Sequence, residues 1–214
     1  MTTTTANEVI PVERNWKSWL FNPFLFIAGF KAMIIGLVFI VAASLIGYAG
    51  NIHFDGVLDQ HIGRAAPLWF FIAEGFIDWL SLALVLAIFA VIMWRKTSRF
   101  IDIIGTQALA RWPSVILALG LQIPVYKQVL NDVVVKAQQG SSAMMNPMDI
   151  TILVLISLLL LPVLIWMVAL MYRAFAVSCN AKGAKAIVVF IVAILIGEAI
   201  SKVLIISLGR FIGL

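Results

Sequence analysis

Long apolar segments alternate with short polar connections along the whole chain. A transmembrane helix needs about 20 mostly apolar residues, because the hydrocarbon core is about 30 Å thick and a helix rises about 1.5 Å per residue. The pattern predicts an all-α polytopic integral membrane protein with five transmembrane helices in residues 24–214, preceded by a polar tail and an interfacial segment in residues 1–23. The five segments are Phe24 to Gly50, Pro67 to Trp94, Trp112 to about Val135, Ile150 to Tyr172 and Ala186 to about Leu208.

The third segment is the weakest of the five. Its apolar run is interrupted by Gln122, Pro124, Tyr126 and Lys127. We expect it to cross the membrane with neighbouring helices shielding these residues, and with a kink at Pro124.

Two stretches beside the apolar segments are expected at the membrane surface. The residues NWKSWLFNPFLF, 15–26, mix aromatic side chains with Lys17, a composition typical of a segment at the headgroup level. The residues TSRFIDIIGTQALARWP, 97–113, can form an amphipathic helix with Phe100 and Ile104 on its apolar face. We predict that this helix is a connector lying on the lipid, and a partner-binding role is the alternative.

Small residues recur on one face of the first apolar segment. They are Gly36, Ala43, Gly47 and Gly50. Such a face lets two helix backbones approach closely. We expect packing within the chain, and homodimerisation through the same face is the alternative.

The composition argues against a water-soluble fold. Hydrophobic residues make up 63% of the chain and charged residues 12%, whereas soluble domains are roughly half apolar and one-quarter charged. The net charge of +5 comes from basic residues scattered between apolar segments rather than gathered on one polar face, so nucleic acid is not an expected partner. Cys179 is the only cysteine, which excludes an intrachain disulfide and a zinc ribbon.

The basic residues in the connections predict the orientation, because lysine and arginine near span ends are retained in the cytoplasm. Ten basic residues lie on the side of the amino terminus and three on the opposite side. This count predicts that the amino terminus is in the cytoplasm and that, after five spans, the carboxyl terminus is outside. The ten on the amino-terminal side are Arg14, Lys17, Lys31, Arg95, Lys96, Arg99, Arg111, Arg173, Lys182 and Lys185. The three on the opposite side are Arg64, Lys136 and Arg210.

Three stretches together show a pattern known from one protein family. They are HFDGVLDQHIG before the second span, FIDIIGTQALARWPSVI at the entry to the third, and WMVALMYRAFAVSCNAKGAKAIVVFIVAILI across the fourth and fifth. From about Asn22 to Leu214 the chain resembles the prokaryotic branch of the Yip family (Ypt/Rab-interacting protein domain). The resemblance implies a multi-pass protein of the bacterial inner membrane with a membrane-organising or partner-binding role. Its partners would be the lipid bilayer and either a second copy or another membrane protein.

One motif of the eukaryotic Yip relatives is missing. Those relatives use an acidic-aromatic D-L-Y-G-P motif around small GTPases, and this sequence does not contain it. Binding of a small GTPase is therefore unsupported.

Five charged side chains fall inside the predicted spans, where each costs about 2.5 to 3.5 kcal/mol and needs a partner or a watery cavity. All five are expected in the outer half of the membrane, and two pairs have the four-residue spacing of one helix face. One interpretation is a charge network that lets three helices pack. The other is a cavity, open to the outside, that binds a cation, a proton or a small polar ligand with its surplus acid. The five are Glu74, Asp78, Lys127, Glu198 and Lys202.

The outer loop before the second span carries a possible metal site. Its candidate ligands are His53, Asp55, Asp59 and His61. Imidazole and carboxylate suit zinc or manganese. However, their spacing matches no ligand template and an Asp-Gly pair is an ordinary turn signal, so a solvated or hydrogen-bonded loop is the alternative.

The common catalytic motifs are missing from the sequence. It contains no G-x-S-x-G, no H-E-x-x-H, no G-x-x-x-x-G-K and no dinucleotide fingerprint. The primary hypothesis is therefore a non-enzymatic inner-membrane protein of the Yip type that needs no cofactor. The alternatives are a small transporter or channel component that uses the in-span charges, and a metal-dependent membrane enzyme that uses the outer His/Asp loop.

Overall fold

The computed structural model describes residues 15–94, 98–138 and 146–213. Within these residues the chain is almost entirely α-helical, and its only strands form one short hairpin. Residues 1–14 of the predicted polar tail lie outside the described part, as do Arg95 and Lys96 of the charge count.

Five helical stretches of the described chain are long and apolar enough to cross a membrane. The helices are α1 (Trp16–Phe21), α2 (Gly29–Gly50), α3 (Leu68–Met93), α4 (Phe100–Leu109), α5 (Ser114–Leu121), α6 (Pro124–Gln138), α7 (Pro147–Cys179) and α8 (Gly183–Phe211). The strands are β1 (Ile52–His53) and β2 (His61–Ile62). The spans are α2, α3, α4 together with α5, α7 and α8. The prediction of a multi-pass, all-α membrane protein is confirmed.

The third span differs from the prediction. It covers Phe100–Leu121, not residues 112–135. Helices α4 and α5 form it in two pieces, and the break falls at Pro113, which lacks a backbone N–H donor and disfavours helix in the residue before it. The predicted surface connector, residues 97–113, is therefore largely an inner helix, in which residues 103–109 are all buried.

The polar side chains of α4 explain why it lies inside the bundle although its apolar character is modest. The Thr106 hydroxyl donates to the carbonyl of Asp102 at 2.7 Å and lies 2.9 Å from the Ser178 hydroxyl. The Gln107 side-chain nitrogen donates to the carbonyl of Met171 at 2.9 Å. Buried polar groups are tolerated when they are hydrogen-bonded, so this span can be 72% buried, against 6% for α7.

The remainder of the predicted third span forms the separate helix α6, which packs on α7. Pro124 begins this helix instead of kinking a span, since a proline at the first helical position sacrifices no hydrogen bond. Lys127 lies in α6, which is not one of the five helical stretches long and apolar enough to cross a membrane.

The small residues of α2 pack within the chain, as expected. A side-chain carbon on Gly36 would overlap the backbone of Ala108, and one on Gly50 would overlap the side chain of Gln122. Gly47 is buried on the same face. The chain's own elements cover this face, which contradicts homodimerisation through it.

Neighbouring spans run in alternating directions and give the bundle two distinct ends. Thr106 meets Ser178 while Gly120 meets Leu160, so α4 and α5 run antiparallel to α7. The hairpin β1–β2 lies where α2, α5 and α8 end and where α3 and α7 begin; this is the hairpin end. The opposite end, where α1 lies, is the α1 end.

Candidate functional site

The connection between α2 and α3 folds back into the bundle instead of covering its surface. Asn51 turns the chain at the end of α2 with a left-handed backbone, φ 55°. Strands β1 and β2 then pair, with His53 opposite His61. The hairpin tip, residues 54–60, points inwards, and Val57 is only 1% exposed. Irregular backbone at this depth is tolerated only where protein covers it.

Two acidic side chains on neighbouring spans hold the hairpin tip. Glu74 on α3, which is buried, accepts a hydrogen bond from the backbone N–H of Phe54 at 3.4 Å. Glu198 on α8 accepts one from the backbone N–H of Leu58 at 3.0 Å. Glu198 lies thirteen residues before Phe211, the end of α8, or about 20 Å along the helix. These in-span acids therefore satisfy backbone donors that the inserted loop leaves unpaired.

His53 connects the hairpin to Glu74. Its Nδ1 lies 2.7 Å from Glu74 Oε1, and its Nε2 lies 2.8 Å from the carbonyl oxygen of Arg64. Both oxygens are acceptors, so the doubly protonated imidazolium can donate to each of them. Burial lowers the pKa of His53, but the Glu74 carboxylate and the Arg64 carbonyl outweigh this effect and raise that pKa above its ordinary value. When His53 is doubly protonated, its contact with an ionised Glu74 is a charge-assisted hydrogen bond.

Two further groups of charged side chains join the hairpin tip to β2 and to α8. His61 Nδ1 is 3.3 Å from Asp55 Oδ1, and Lys202 Nζ is 2.5 Å from Asp59 Oδ2 and 3.7 Å from Glu198 Oε1. The His61 imidazole lowers the pKa of Asp55, and the Asp55 carboxylate raises the pKa of His61. Asp55, Asp59 and His61 each offer one metal-ligand atom, and these atoms all lie within 4.8 Å of one another.

A further ion pair joins the third span to α3. Arg111 Nη1 on the third span is 3.9 Å from Asp78 Oδ2 on α3, and the Ser201 hydroxyl on α8 donates to Asp78 Oδ1. Each of these residues lies ten positions from the hairpin end of its span, or about 15 Å. Asp78 is 0% exposed and Arg111 is 5% exposed. The pair therefore sits near the middle of the bundle, where charges need a counter-ion.

A small space lies beside this deep ion pair. It measures about 10 Å³ and is also lined by Ser44 and Ser114, which makes it large enough for one water molecule. Asp78 Oδ2 and Arg111 Nη2 have no hydrogen-bond partner among the described residues. A water molecule there would bridge two groups that stand too far apart to bond directly.

The structure brings together most of the predicted in-span charges but replaces one of them. Lys127 on α6 has no ion pair with any described residue. Its expected place in the network is taken by Arg111, which the sequence analysis wrongly counted as a cytoplasmic connector residue. The four predicted residues that contact the hairpin or a neighbouring span are Glu74, Asp78, Glu198 and Lys202.

A signal in the sequence points to Arg111. The 22 residues of Phe100–Leu121 contain only two charged side chains, Asp102 and Arg111, and so qualify as a span. Arg111 then falls ten residues from one end of that span. It belongs with the in-span charges.

Three of the four predicted metal ligands converge. His53 is excluded from the group because both of its ring nitrogens face oxygen atoms of Glu74 and Arg64. The remaining three are Asp55, Asp59 and His61.

A cleft of about 290 Å³ opens between the hairpin, α3 and α8. Phe70, Ile205 and Ile206 form its apolar walls. Glu74, one of the in-span acids, therefore lines the same cleft as His53, Asp55 and His61 of the loop before the second span. The charged and ionisable residues that line the cleft are His53, Asp55, His61, Arg64, Glu74 and Arg210.

Comparisons with protein-family models, with curated proteins and with solved structures find no match for this chain. The Yip resemblance therefore rests on the three sequence stretches alone. The function has to be argued from the site.

Proposed function

We propose that this chain is a non-enzymatic, multi-pass protein of the bacterial inner membrane that binds a small divalent cation at the hairpin end, as a component of cation transport or sensing. The observation that carries the proposal is the convergence of Asp55, Asp59 and His61, whose ligand atoms lie within 4.8 Å of one another. Two carboxylates and one imidazole are a ligand set that suits manganese or zinc.

The charge balance around the hairpin favours a cation. Five acids and two bases form ion pairs there, and Arg64 and Arg210 also line the cleft, so the acids exceed the bases by one. A divalent cation that binds the His61 imidazole displaces its ring proton. The acids are Asp55, Asp59, Glu74, Asp78 and Glu198, and the bases are Arg111 and Lys202.

The hairpin tip offers its ligands from a fixed position. Glu74 and Glu198 hold its backbone on two sides, and His53 links it to α3. Groups that hold metal ligands in place contribute to affinity, because the ligands then need little rearrangement to bind. The inserted hairpin is therefore a suitable support for a small ion.

We place the site on the outer face of the membrane. Arg111 is buried in a span and leaves the count of connector charges, while Lys127 in α6 joins the connections of the hairpin end. Among the described residues the corrected count is six basic residues at the α1 end against four at the hairpin end. The direction of this imbalance supports a cytoplasmic α1 end.

Calorimetric titration of Mn²⁺ and of Zn²⁺ into the protein purified in detergent tests the proposal. We expect near-stoichiometric binding by the wild type. Asp55→Asn and Asp59→Asn each remove a charged ligand and should weaken binding at least about tenfold. Asp132→Asn, which neutralises an exposed aspartate of α6 at the same end, is the matched control and should bind as the wild type does.

Two results would refute cation binding at this site. One is the absence of binding heat with either ion in the folded wild type. The other is equal affinity in the wild type, Asp55→Asn and Asp59→Asn, which would show that the ion binds elsewhere.

A membrane-organising role of the Yip type is the second candidate. It is favoured by the exposed aromatic surface of α1, where Trp16 is 69% exposed and Phe21 is 56% exposed. Complementation of a deletion strain discriminates the two roles. If cation binding is the function, the double variant Asp55→Asn/Asp59→Asn fails to complement, whereas a membrane-organising protein tolerates both substitutions.

A further inference from the structure

A deep apolar groove opens at the α1 end of the bundle, far from the hairpin. It measures about 660 Å³ and lies between α1 and the sides of α2 and α4. A volume in this range is large enough for a ligand of moderate size. The lining residues are all apolar or aromatic: Trp16, Trp19, Leu20, Pro23, Ile27, Ile35, Phe39, Leu109 and Trp112.

The groove extends about as deep as one leaflet of a bilayer. Ile35 and Phe39 lie six and ten residues after Gly29, the start of α2, or about 9 and 15 Å along the helix. Leu109 lies nine residues after Phe100, the start of α4, or about 14 Å. Half of the hydrocarbon core is about 15 Å thick. The groove thus reaches from the membrane surface to the depth at which acyl chains end.

The mouth of the groove has the composition of a membrane interface. Trp16 and Trp19 are 69% and 41% exposed, and tryptophan is enriched at the headgroup level. The Lys17 ammonium lies 5.7 Å from the centre of the Trp16 ring. A cation therefore stands where the headgroup of a lipid in the groove would lie.

The α1 end as a whole is basic. Among the described residues, six basic side chains belong to the α1 end, and Asp102 is the only acidic one. Such a surface attracts anionic lipids. The six are Lys17, Lys31, Arg99, Arg173, Lys182 and Lys185.

We propose that the groove binds one acyl chain of an anionic phospholipid from the adjoining leaflet, with the lipid phosphate beside Lys17. A transmembrane helix of another protein is a poorer fit, because such a helix packs along the full thickness of about 30 Å, whereas the groove spans one leaflet only. This assignment is independent of cation binding at the hairpin end.

Native mass spectrometry of the protein released from detergent counts the lipids it retains. Ile35→Trp fills the groove from α2, since Ile35 lines it. Ile34→Trp places the same side chain on the adjacent position, which is 49% exposed and does not line the groove. We expect the wild type and Ile34→Trp to retain one phospholipid and Ile35→Trp to lose it. Retention by Ile35→Trp, or no retained lipid in the wild type, would overturn the proposal.

The charge part of the proposal has its own test. The wild type should retain phosphatidylglycerol in preference to phosphatidylcholine, and Lys17→Glu should reduce this preference about fivefold or more. Lys136→Glu, which makes the same change at the hairpin end, is the control and should leave the preference unchanged. Equal retention of the two lipids by the wild type contradicts an anionic ligand. A wild-type dimer that Ile35→Trp dissociates would assign the groove to a second copy instead.

Discussion

The ion pair of Asp78 and Arg111 lies where neither group reaches bulk water. Each charge is there because the other compensates it, and Ser201 adds a hydrogen bond to the carboxylate. Removing one member of a buried pair leaves the other uncompensated, which is more damaging than removing both. The pair is therefore a strong constraint on how α3 packs against the third span.

We predict that Arg111→Met lowers the free energy of unfolding by about 3 to 5 kcal/mol, because Asp78 is left without a counter-ion. The double variant Arg111→Met/Asp78→Leu should recover most of this loss. Unfolding by denaturant in mixed micelles measures both. Lys127→Met removes a base that lies outside the spans and should change stability by no more than about 0.5 kcal/mol. Equal effects of Arg111→Met and Lys127→Met would show that Arg111 does not sit in the bundle.

Arg111 and Lys127 also show how far single residues can be assigned from sequence. Residues 97–113 were assigned to the membrane surface because their apolar side chains share one helix face, although Phe100–Leu121 is also apolar enough to cross the membrane. Residues 100–121 can lie inside the bundle because Thr106 and Gln107 form buried hydrogen bonds with residues of α7, a helix distant in sequence. Hydropathy measures transfer into lipid and does not register partners supplied by the rest of the fold.

The hairpin is the element in which fold and site meet. Its turn was predictable, because Asp55 and Gly56 form an Asp-Gly pair between two apolar stretches. Its insertion into the bundle was not predictable, because the acceptors that hold its backbone, Glu74 and Glu198, come from two other elements. The ionisable groups of the hairpin were therefore all evident in the sequence, but their proximity to the in-span acids was not.

We predict that Gly56→Ala loosens the hairpin tip, because a side-chain carbon at Gly56 would overlap Oε1 of Glu198. Hydrogen exchange followed by mass spectrometry should show the amides of residues 54–60 exchanging about tenfold faster, as expected when a hydrogen bond to a charged group is weakened. In a Glu198→Ala background the same substitution should add little, because the overlapping group is gone. Additive effects of the two changes would contradict this packing.

The spans themselves were the most predictable elements. Helices α2, α3 and α8 fall within five residues of their predicted segments, and α7 extends seven residues beyond Tyr172, since each carries a long and nearly uninterrupted apolar run. Only the third span, whose side chains are mostly covered by protein, departed from the prediction. A helix that faces lipid has to be apolar, but a helix that faces protein does not.

At the scale of the whole molecule, the two ends have different chemistry. The α1 end is basic, aromatic and open to lipid, while the hairpin end gathers acids, histidines and an inserted loop. Basic residues near span ends are retained in the cytoplasm. This asymmetry supports our proposal that the α1 end is cytoplasmic and that the hairpin end lies outside.

We predict that alkaline phosphatase fused to the carboxyl terminus is active, because five spans put that terminus on the opposite side of the membrane from the amino terminus, which we propose is cytoplasmic. Phosphatase fused after Lys182, in the turn between α7 and α8 at the α1 end, should be inactive. The second fusion is the control for expression. If only the Lys182 fusion is active, the orientation of the protein in the membrane is the opposite of the one we propose.

The central claim is that the acids and histidines of the hairpin end bind a cation, and the pH dependence of Mn²⁺ affinity tests it most directly. Asp55 has a lowered pKa and stays ionised between about pH 5.5 and 8.5, so it adds no slope in this range. His61 has a raised pKa and must lose its proton before it can bind a metal. Calorimetric titrations should show affinity falling about tenfold for each pH unit below the pKa of His61 and constant above it. Binding that is independent of pH over this range, or no binding at any pH, would contradict the account.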